Sequence, residues 1–181
     1  MRCLPVCLLL LALTVATAAL QAPASPPGRD SSQAPGAQST AAAAINPADV
    51  VGTWELNLRK SSWGALPPPK SATVNILRYD QNGMQWTAQE TDEHGNSIAL
   101  EWQGALNGLP QPATGTDAGV TYAFQQTDEG ILEVVTFPDG SRITSLGTIS
   151  AGGKTLTMRR HMTSPVRGVL DWTEVYDKVA R

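Results

Sequence analysis

From residue 52 onward, apolar and polar residues alternate along the chain with a period of two. In the first segment Trp54, Leu56 and Leu58 occupy every second position, with polar residues between them. This alternation is typical of a β-strand with one buried face. We predict nine strands, covering residues 54–58, 73–76, 84–89, 98–103, 120–125, 131–137, 142–149, 155–160 and 169–176.

The connectors between these segments are short and rich in turn-forming residues. Asp80-Gln81-Asn82-Gly83 and Pro138-Asp139-Gly140 place Gly or Asn where a tight hairpin needs a positive φ. Short connectors and the absence of any helical periodicity indicate sequential antiparallel pairing. We therefore predict an all-β fold, an antiparallel up-and-down meander of about 8–9 strands closed into a barrel, with a flattened sandwich as the alternative.

Residues 1–47 follow a different pattern and contain no aromatic residue. Arg2, the apolar run around Leu8–Leu11 and the small residues Ala16-Thr17-Ala18 indicate a secretory signal peptide at 1–19, with an uncleaved membrane anchor as the alternative. Residues 20–47 are rich in Ala, Pro, Ser and Gln and predict a disordered linker. The folded domain is then 48–181, and the protein is exported to the periplasm or the extracellular space.

The charge and the cysteines exclude several classes of function. The chain has 13 Lys and Arg against 16 Asp and Glu, with a net charge of -3 and no basic cluster, which excludes a typical nucleic-acid binder. Both cysteines, Cys3 and Cys7, lie in the predicted signal peptide, so the mature chain has no thiol chemistry. We expect a monomer without stable membrane insertion after signal cleavage.

Neither histidine has the sequence context of a catalytic or metal-binding residue. His94 lies in a predicted hairpin turn with Asp92, Glu93 and Asn96, where a metal site is the weaker interpretation, and His161 lies on a strand, where a rim or surface position is favoured. No hydrolase, zinc-protease or phosphate-loop motif is present. We predict no catalytic residue, no metal and no cofactor, and therefore a protein that is not an enzyme.

Large side chains on the apolar faces are the candidate ligand-binding residues. If the barrel has a cavity, these residues hold an apolar or planar ligand, and if it has none, they form the core. A basic rim of Arg159, Arg160 and Arg167 attracts a carboxylate headgroup, or an inward Arg160 closes over Trp54 through a cation–π contact, with ordinary surface charge as the alternative. The predicted ligand-binding set is Trp86, Trp102, Tyr122, Phe124, Met158 and Arg160.

Several short motifs resemble a known family. Gly52-Thr53-Trp54 resembles the Gly-x-Trp signature of lipocalin and fatty-acid-binding barrels, and Val175–Val179 is similar to the closing strand of the latter. With residues 60–71 and the loop 107–115, the chain resembles secreted bacterial lipocalin-like domains of the calycin type, which have no assigned function. The resemblance implies a barrel, but segment 61–70 is too short and proline-rich for a two-helix lid.

Together these observations predict a non-enzymatic exported barrel that binds a small apolar or amphipathic molecule. The alternative is a protein-interaction or inhibitor domain with a packed core, which acts through its loops and especially through residues 108–119.

Overall fold

The computed structural model describes residues 45–115 and 119–179. The predicted signal peptide and residues 20–44 of the predicted linker lie outside the described residues. No helix in the described part of the chain has the length and apolar composition needed to cross a membrane. The described elements are a helix α1 (Pro47–Val50) and the strands β1 (Gly52–Leu56), β2 (Ser71–Asp80), β3 (Gly83–Thr91), β4 (Ser97–Gly104), β5 (Gln111–Pro112), β6 (Thr114–Gly115), β7 (Thr121–Gln126), β8 (Ile131–Thr136), β9 (Arg142–Ile149), β10 (Thr155–Ser164) and β11 (Gly168–Lys178).

The strands form one antiparallel up-and-down sheet. Strands β1 to β4 pair in sequence order, strands β7 to β11 do the same, and β1 also pairs with β11. The two ends of the sheet are β6, paired with β4, and β5, paired with β7, and Ala113 alone separates β5 from β6 along the chain. Counted as one strand interrupted at Ala113, β5 and β6 complete a nearly closed barrel of ten strands.

The predicted all-β barrel is confirmed, and so are its nine long strands. The predicted strand number was one too low, because residues 111–115 were assigned to a loop and instead supply the short pairs to β4 and β7. Two-residue strands are too short to show an alternation of apolar and polar residues, so periodicity does not reveal them.

One end of the barrel, which we call the closed end, is sealed by the chain that precedes β1. The Asn46 side chain accepts a hydrogen bond from the Ala48 amide and caps α1, which places Val50 fully inside. Trp54 Nε1 donates to Val50 O over 2.9 Å, and Lys178 Nζ donates to Asp49 O over 2.9 Å. These bonds fasten α1 across the end of the barrel.

The opposite end, which we call the open end, carries the connector 57–70 and the turns 92–96, 137–141 and 165–167. The connector follows β11, because Ser62 and Thr173 exchange two backbone hydrogen bonds of 2.8 Å. At Gly64, with φ 57°, a Cβ would lie 2.7 Å from Asp171 O, so only glycine allows this close approach. The connector then turns to Leu66 and returns to β2 through three prolines.

Candidate functional site

Four of the predicted ligand-binding residues form a packed group inside the barrel, which we call the aromatic core: Trp86, Trp102, Tyr122 and Phe124. All four are less than 10% exposed. The Trp86 ring meets Tyr122 edge to face at 5.5 Å, and the Trp102 ring lies 4.5 Å from Phe124. The rings therefore pack against one another, as the core interpretation of the sequence expects.

Met158 borders this group as a filler. It is half-buried, packs against the buried apolar cluster, and its Sδ lies 2.8 Å from the position that a Cβ on Gly147 would take. Glycine at position 147 of β9 thus makes room for the sulfur from β10. The role of Met158 and the four rings in ligand binding stays a prediction, since none of them lines the pocket described below.

Polar and charged side chains lie next along the inner faces of β8 to β11, and we call them the charged layer: Glu133, Ser145, Arg160 and Glu174. Arg160 Nη1 donates to Glu133 Oε2 over 2.8 Å and to Ser145 Oγ over 3.2 Å. Its Nε lies 3.0 Å from Glu174 Oε2, an ionic contact whose N–H is not aligned for a hydrogen bond. One guanidinium thus faces two carboxylates inside the barrel.

Hydrogen bonds from two aromatic side chains hold Glu174 in this layer. Trp172 Nε1 donates to Oε1 over 2.8 Å, and the Tyr176 hydroxyl donates to Oε2 over 2.9 Å. Burial, reinforced by the negative charge of Glu174, raises the pKa of Tyr176 well above its ordinary value, so this hydroxyl remains a donor. Hydrogen bonds and ion pairs therefore link all members of the layer.

The electrostatics of Arg160 follow from its two acidic partners. Burial alone would lower the pKa of the guanidinium, but Glu133 and Glu174 outweigh burial, and the net pKa is raised. Breaking such a pair by removing one partner is costly, because it leaves a charge unpaired in a poorly solvated interior. Arg160 is therefore a permanent internal cation.

The predicted roles of the three arginines need correction. Arg160 is not part of a surface rim, and the cation–π contact over the Trp54 ring comes from Lys178 Nζ, 5.0 Å from the ring centre. Arg159 is exposed on the outer face of β10, as alternation requires when its neighbour faces inward. Arg167 is the arginine of the three that lines the pocket.

A pocket of about 470 Å³ lies at the open end of the barrel, and we call it the mouth pocket. Apolar side chains from β9, β10, β11, the connector and the turns supply most of its wall. The pocket adjoins the charged layer. Ile143 lies two residues before Ser145 on the inner face of β9, and Met162 lies two residues after Arg160 on the inner face of β10. Trp172 is the cross-strand partner of Arg160. The apolar lining residues are Leu66, Phe137, Ile143, Met162, Val166 and Trp172.

The polar part of the pocket wall holds two hairpins together. Ser141 Oγ lies 3.0 Å from Asp139 Oδ2 and 2.9 Å from Ser164 Oγ, and Ser164 Oγ accepts hydrogen bonds from the amides of Val166 and Arg167. These groups are largely satisfied by one another. The exposed Arg167 side chain forms no ion pair with any residue that the structure describes, so it is the available charge at the rim.

Both histidines lie outside the pocket wall. His94 is in the exposed turn at the open end, 3.4 Å from the Glu93 carboxylate, and exposed His161 lies 2.8 Å from Asp171 on the outer face of β10 and β11. Within residues 45–115 and 119–179, no group of three or more His, Cys, Asp or Glu side chains could hold a metal.

Sequence reasoning missed Glu133, Ser145, Glu174 and Trp172. Glu133 lies between Ile131 and Val135, two buried residues on the same face of β8, so an acidic residue at an apolar-face position was the available signal. In β8 and β9 both faces are partly apolar, so the sequence pattern does not show which face of these strands is buried. If Arg160 faces inward, the alternation of inner and outer positions also places Ser145 of β9 and Glu174 of β11 on the inner face.

Comparison with known proteins agrees with the fold. No protein-family model and no curated protein matches the chain. A variant of the fluorescent protein UnaG is 16% identical, with 74% of this chain and 99% of that chain covered and a TM-score of 0.50. Wild-type UnaG gives 17% identity, 71% and 96% coverage and a TM-score of 0.47, and a redesigned β-barrel gives 12%, 74%, 94% and 0.46. The likeness to the UnaG variant supports an antiparallel β-barrel fold for this chain.

Proposed function

We propose that this barrel binds a small apolar or amphipathic molecule in the mouth pocket. The observation that carries the proposal is a pocket of about 470 Å³ with a mostly apolar wall, in a barrel whose other half is packed. This size lies within the range of ordinary small-molecule sites, which combine an apolar wall with a few fixed polar groups. The side chains of Phe137, Met162 and Trp172 would contact the apolar part of the ligand.

A ligand can enter the mouth pocket without a conformational change, because the pocket opens to solvent between the connector and the turns. Leu66 contributes to the wall from a connector that is anchored at Ser62 and Gly64. A bound ligand would displace water from apolar surface and would require little rearrangement of the protein, and both effects favour binding.

A calorimetric titration of the full chain with decanol tests the proposal. We expect saturable one-site binding, and we expect Met162→Trp, which fills the pocket with a larger side chain, to weaken it at least about tenfold. Circular dichroism confirms that the variant is folded. Equal binding to both proteins, or no binding of decanol or of a hydrophobic dye, would reject the mouth pocket as the site.

The proposal includes export, a monomeric state and no catalysis. Export is supported by the pattern of residues 1–19, which predicts cleavage by a signal peptidase after small residues. The mature protein would then begin near Leu20 and lack both cysteines. Mass spectrometry of protein from an expressing cell checks this, and an intact Met1 in the cytoplasmic fraction would contradict it.

A second candidate is a protein-interaction domain that acts through residues 108–119. Leu109 favours it, since this large apolar side chain is 62% exposed in the turn before β5. A specific partner that the wild-type protein captures and Leu109→Ser does not would support this function. Saturable decanol binding without such a partner would favour the first.

A further inference from the structure

The charges inside the barrel are not balanced. Arg160 is a single cation, while Glu133 and Glu174 are both within 3.0 Å of it. Two carboxylates against one guanidinium leave an excess of one negative charge in a layer where every side chain is at least four-fifths buried. Such an excess is costly in a poorly solvated site unless a further cation approaches.

A third carboxylate adds to this excess from across the barrel. Glu90 follows Met84, Trp86 and Ala88 at every second position of β3, so it lies on the inner face of that strand, and it is exposed toward the open end. Although part of the residue is exposed, partial desolvation of its carboxyl inside the barrel raises the pKa of Glu90. The charge of Glu174 raises this pKa further, while Arg160 lowers it. The interaction with Glu174 and Arg160 indicates that Glu90 belongs to the same electrostatic site.

The buried carboxylate of Glu133 has an unused acceptor. Its side chain is 7% exposed, and only its Oε2 accepts a hydrogen bond, from Arg160, within the described residues. The other oxygen, Oε1, accepts none from them. A carboxylate oxygen without a donor is a position where a ligand N–H gains a charge-assisted hydrogen bond.

The neighbouring aromatic side chain suits the same chemistry. Trp172 lines the mouth pocket, is the cross-strand partner of Arg160, and directs its Nε1 to Glu174. An indole ring attracts cations to its face and repels anions from it. Trp172 therefore lines the pocket and also contacts an acidic side chain of the charged layer.

We propose that the ligand of the mouth pocket carries a positively charged nitrogen, with an apolar part in the pocket and an ammonium or guanidinium group directed at the charged layer. This inference rests on the proposed function, because it assigns the chemical class of the molecule that the pocket takes. It differs from the carboxylate headgroup expected from the sequence, because Arg160, which faces the interior, is already paired with two acidic side chains. Arg167 lines the pocket at the solvent-exposed rim and lies outside the charged layer.

Three probes of one chain length test the charge of the ligand: decylamine, decanol and decanoate, each titrated calorimetrically into the full chain below its aggregation concentration. We expect decylamine to bind about tenfold or more tighter than decanoate, with decanol between them. Equal affinities, or tightest binding of decanoate, would overturn the cation proposal and leave the mouth pocket intact as a site. Binding of none of the three would reject the proposed function itself.

Two substitutions locate the source of the preference. Glu90→Gln and Glu133→Gln should each reduce the ratio of decylamine to decanoate affinity several-fold, about three- to tenfold, with little change for decanol. Glu90 is exposed, so its variant is expected to fold even if the Glu133 variant does not. Glu129→Gln is the matched control for net charge, because Glu129 is exposed in the turn between β7 and β8 at the closed end. An equal loss of preference in this control would show that net charge alone attracts the amine.

Discussion

The two ends of this barrel differ in how the interior is filled. At the closed end, α1 covers the opening, Val50 and Trp54 are fully buried, and the aromatic core packs ring against ring. At the open end, the interior holds a charged layer and then a pocket of about 470 Å³. Dense apolar packing is thus concentrated toward the closed end, whereas the proposed ligand would bind at the open end. Glu133 of the charged layer is the cross-strand partner of Phe124 in the aromatic core.

The largest expected effect is in the closed half. Trp102→Ala removes a side chain that is 1% exposed and contacts Phe124, so we expect a loss of about 3–5 kcal/mol in the free energy of unfolding. Urea denaturation measures it. Trp102→Phe is the control, and it should cost much less, because it keeps a ring and removes an indole N–H that has no partner. A loss below about 1 kcal/mol in the alanine variant would show that this half is not the stabilising one.

The second largest effect is expected in the charged layer. Arg160→Leu leaves Glu133 and Glu174 buried without their cation, and we expect it to reduce the free energy of unfolding by about 3 kcal/mol at neutral pH. Arg159→Leu is the neighbouring control on the outer face, where we expect a change of less than about 0.5 kcal/mol. Thermal and urea unfolding of both variants gives the comparison. Equal losses would contradict the inward position of Arg160.

A substitution in the open half should separate binding from stability. Leu66→Ala shortens a half-buried side chain of the pocket wall, and we expect it to cost no more than about 1 kcal/mol of stability while lowering decanol affinity about three- to tenfold. Leu58→Ala, at an exposed position of the same connector and outside the pocket wall, should leave the affinity unchanged. If both variants weaken binding alike, the pocket wall is not where the ligand lies.

The smallest effect concerns Glu90 and depends on pH. Because its pKa is raised in the folded protein, the ionised carboxylate opposes folding above its unfolded-state pKa, and this cost disappears as the pH falls and the group takes up a proton. Glu90→Gln should therefore be slightly more stable than the wild type at pH 7, by less than about 1 kcal/mol after solvent screening, and equally stable near pH 4. A variant that is less stable at pH 7 would show that Glu90 has a favourable partner.

The sequence was sufficient to predict the barrel, but it predicted the candidate site only in part. Alternation in segments such as 84–89 predicts strands and inner faces, because burial of one face imposes the period directly. Alternation does not say whether buried rings pack or line a cavity, since both need apolar side chains on the inner face. That depends on how α1 and the connector cover the two ends, which involves contacts between residues distant in sequence, such as Lys178 with Asp49.

The charged layer could not be derived from the sequence for a related reason. Arg160 was expected to belong to a basic rim with Arg159 and Arg167 or to lie over Trp54, because an isolated strand does not show which carboxylates lie opposite it. The antiparallel register places Glu174 and Ser145 on its two neighbouring strands, and Glu133 one strand further. Only the closed sheet brings these residues within hydrogen-bonding distance.

The central claim is that ligand enters the open half and leaves the closed half unchanged. The five tryptophan indole N–H signals in a ¹H–¹⁵N spectrum test it directly, because Trp172 lines the mouth pocket while Trp54, Trp86 and Trp102 are buried away from it. On titration with decanol, we expect the Trp172 signal to shift and the signals of Trp54, Trp86 and Trp102 to stay in place. A shift of Trp86 or Trp102 with Trp172 unchanged would place the ligand in the aromatic core and contradict binding at the open end.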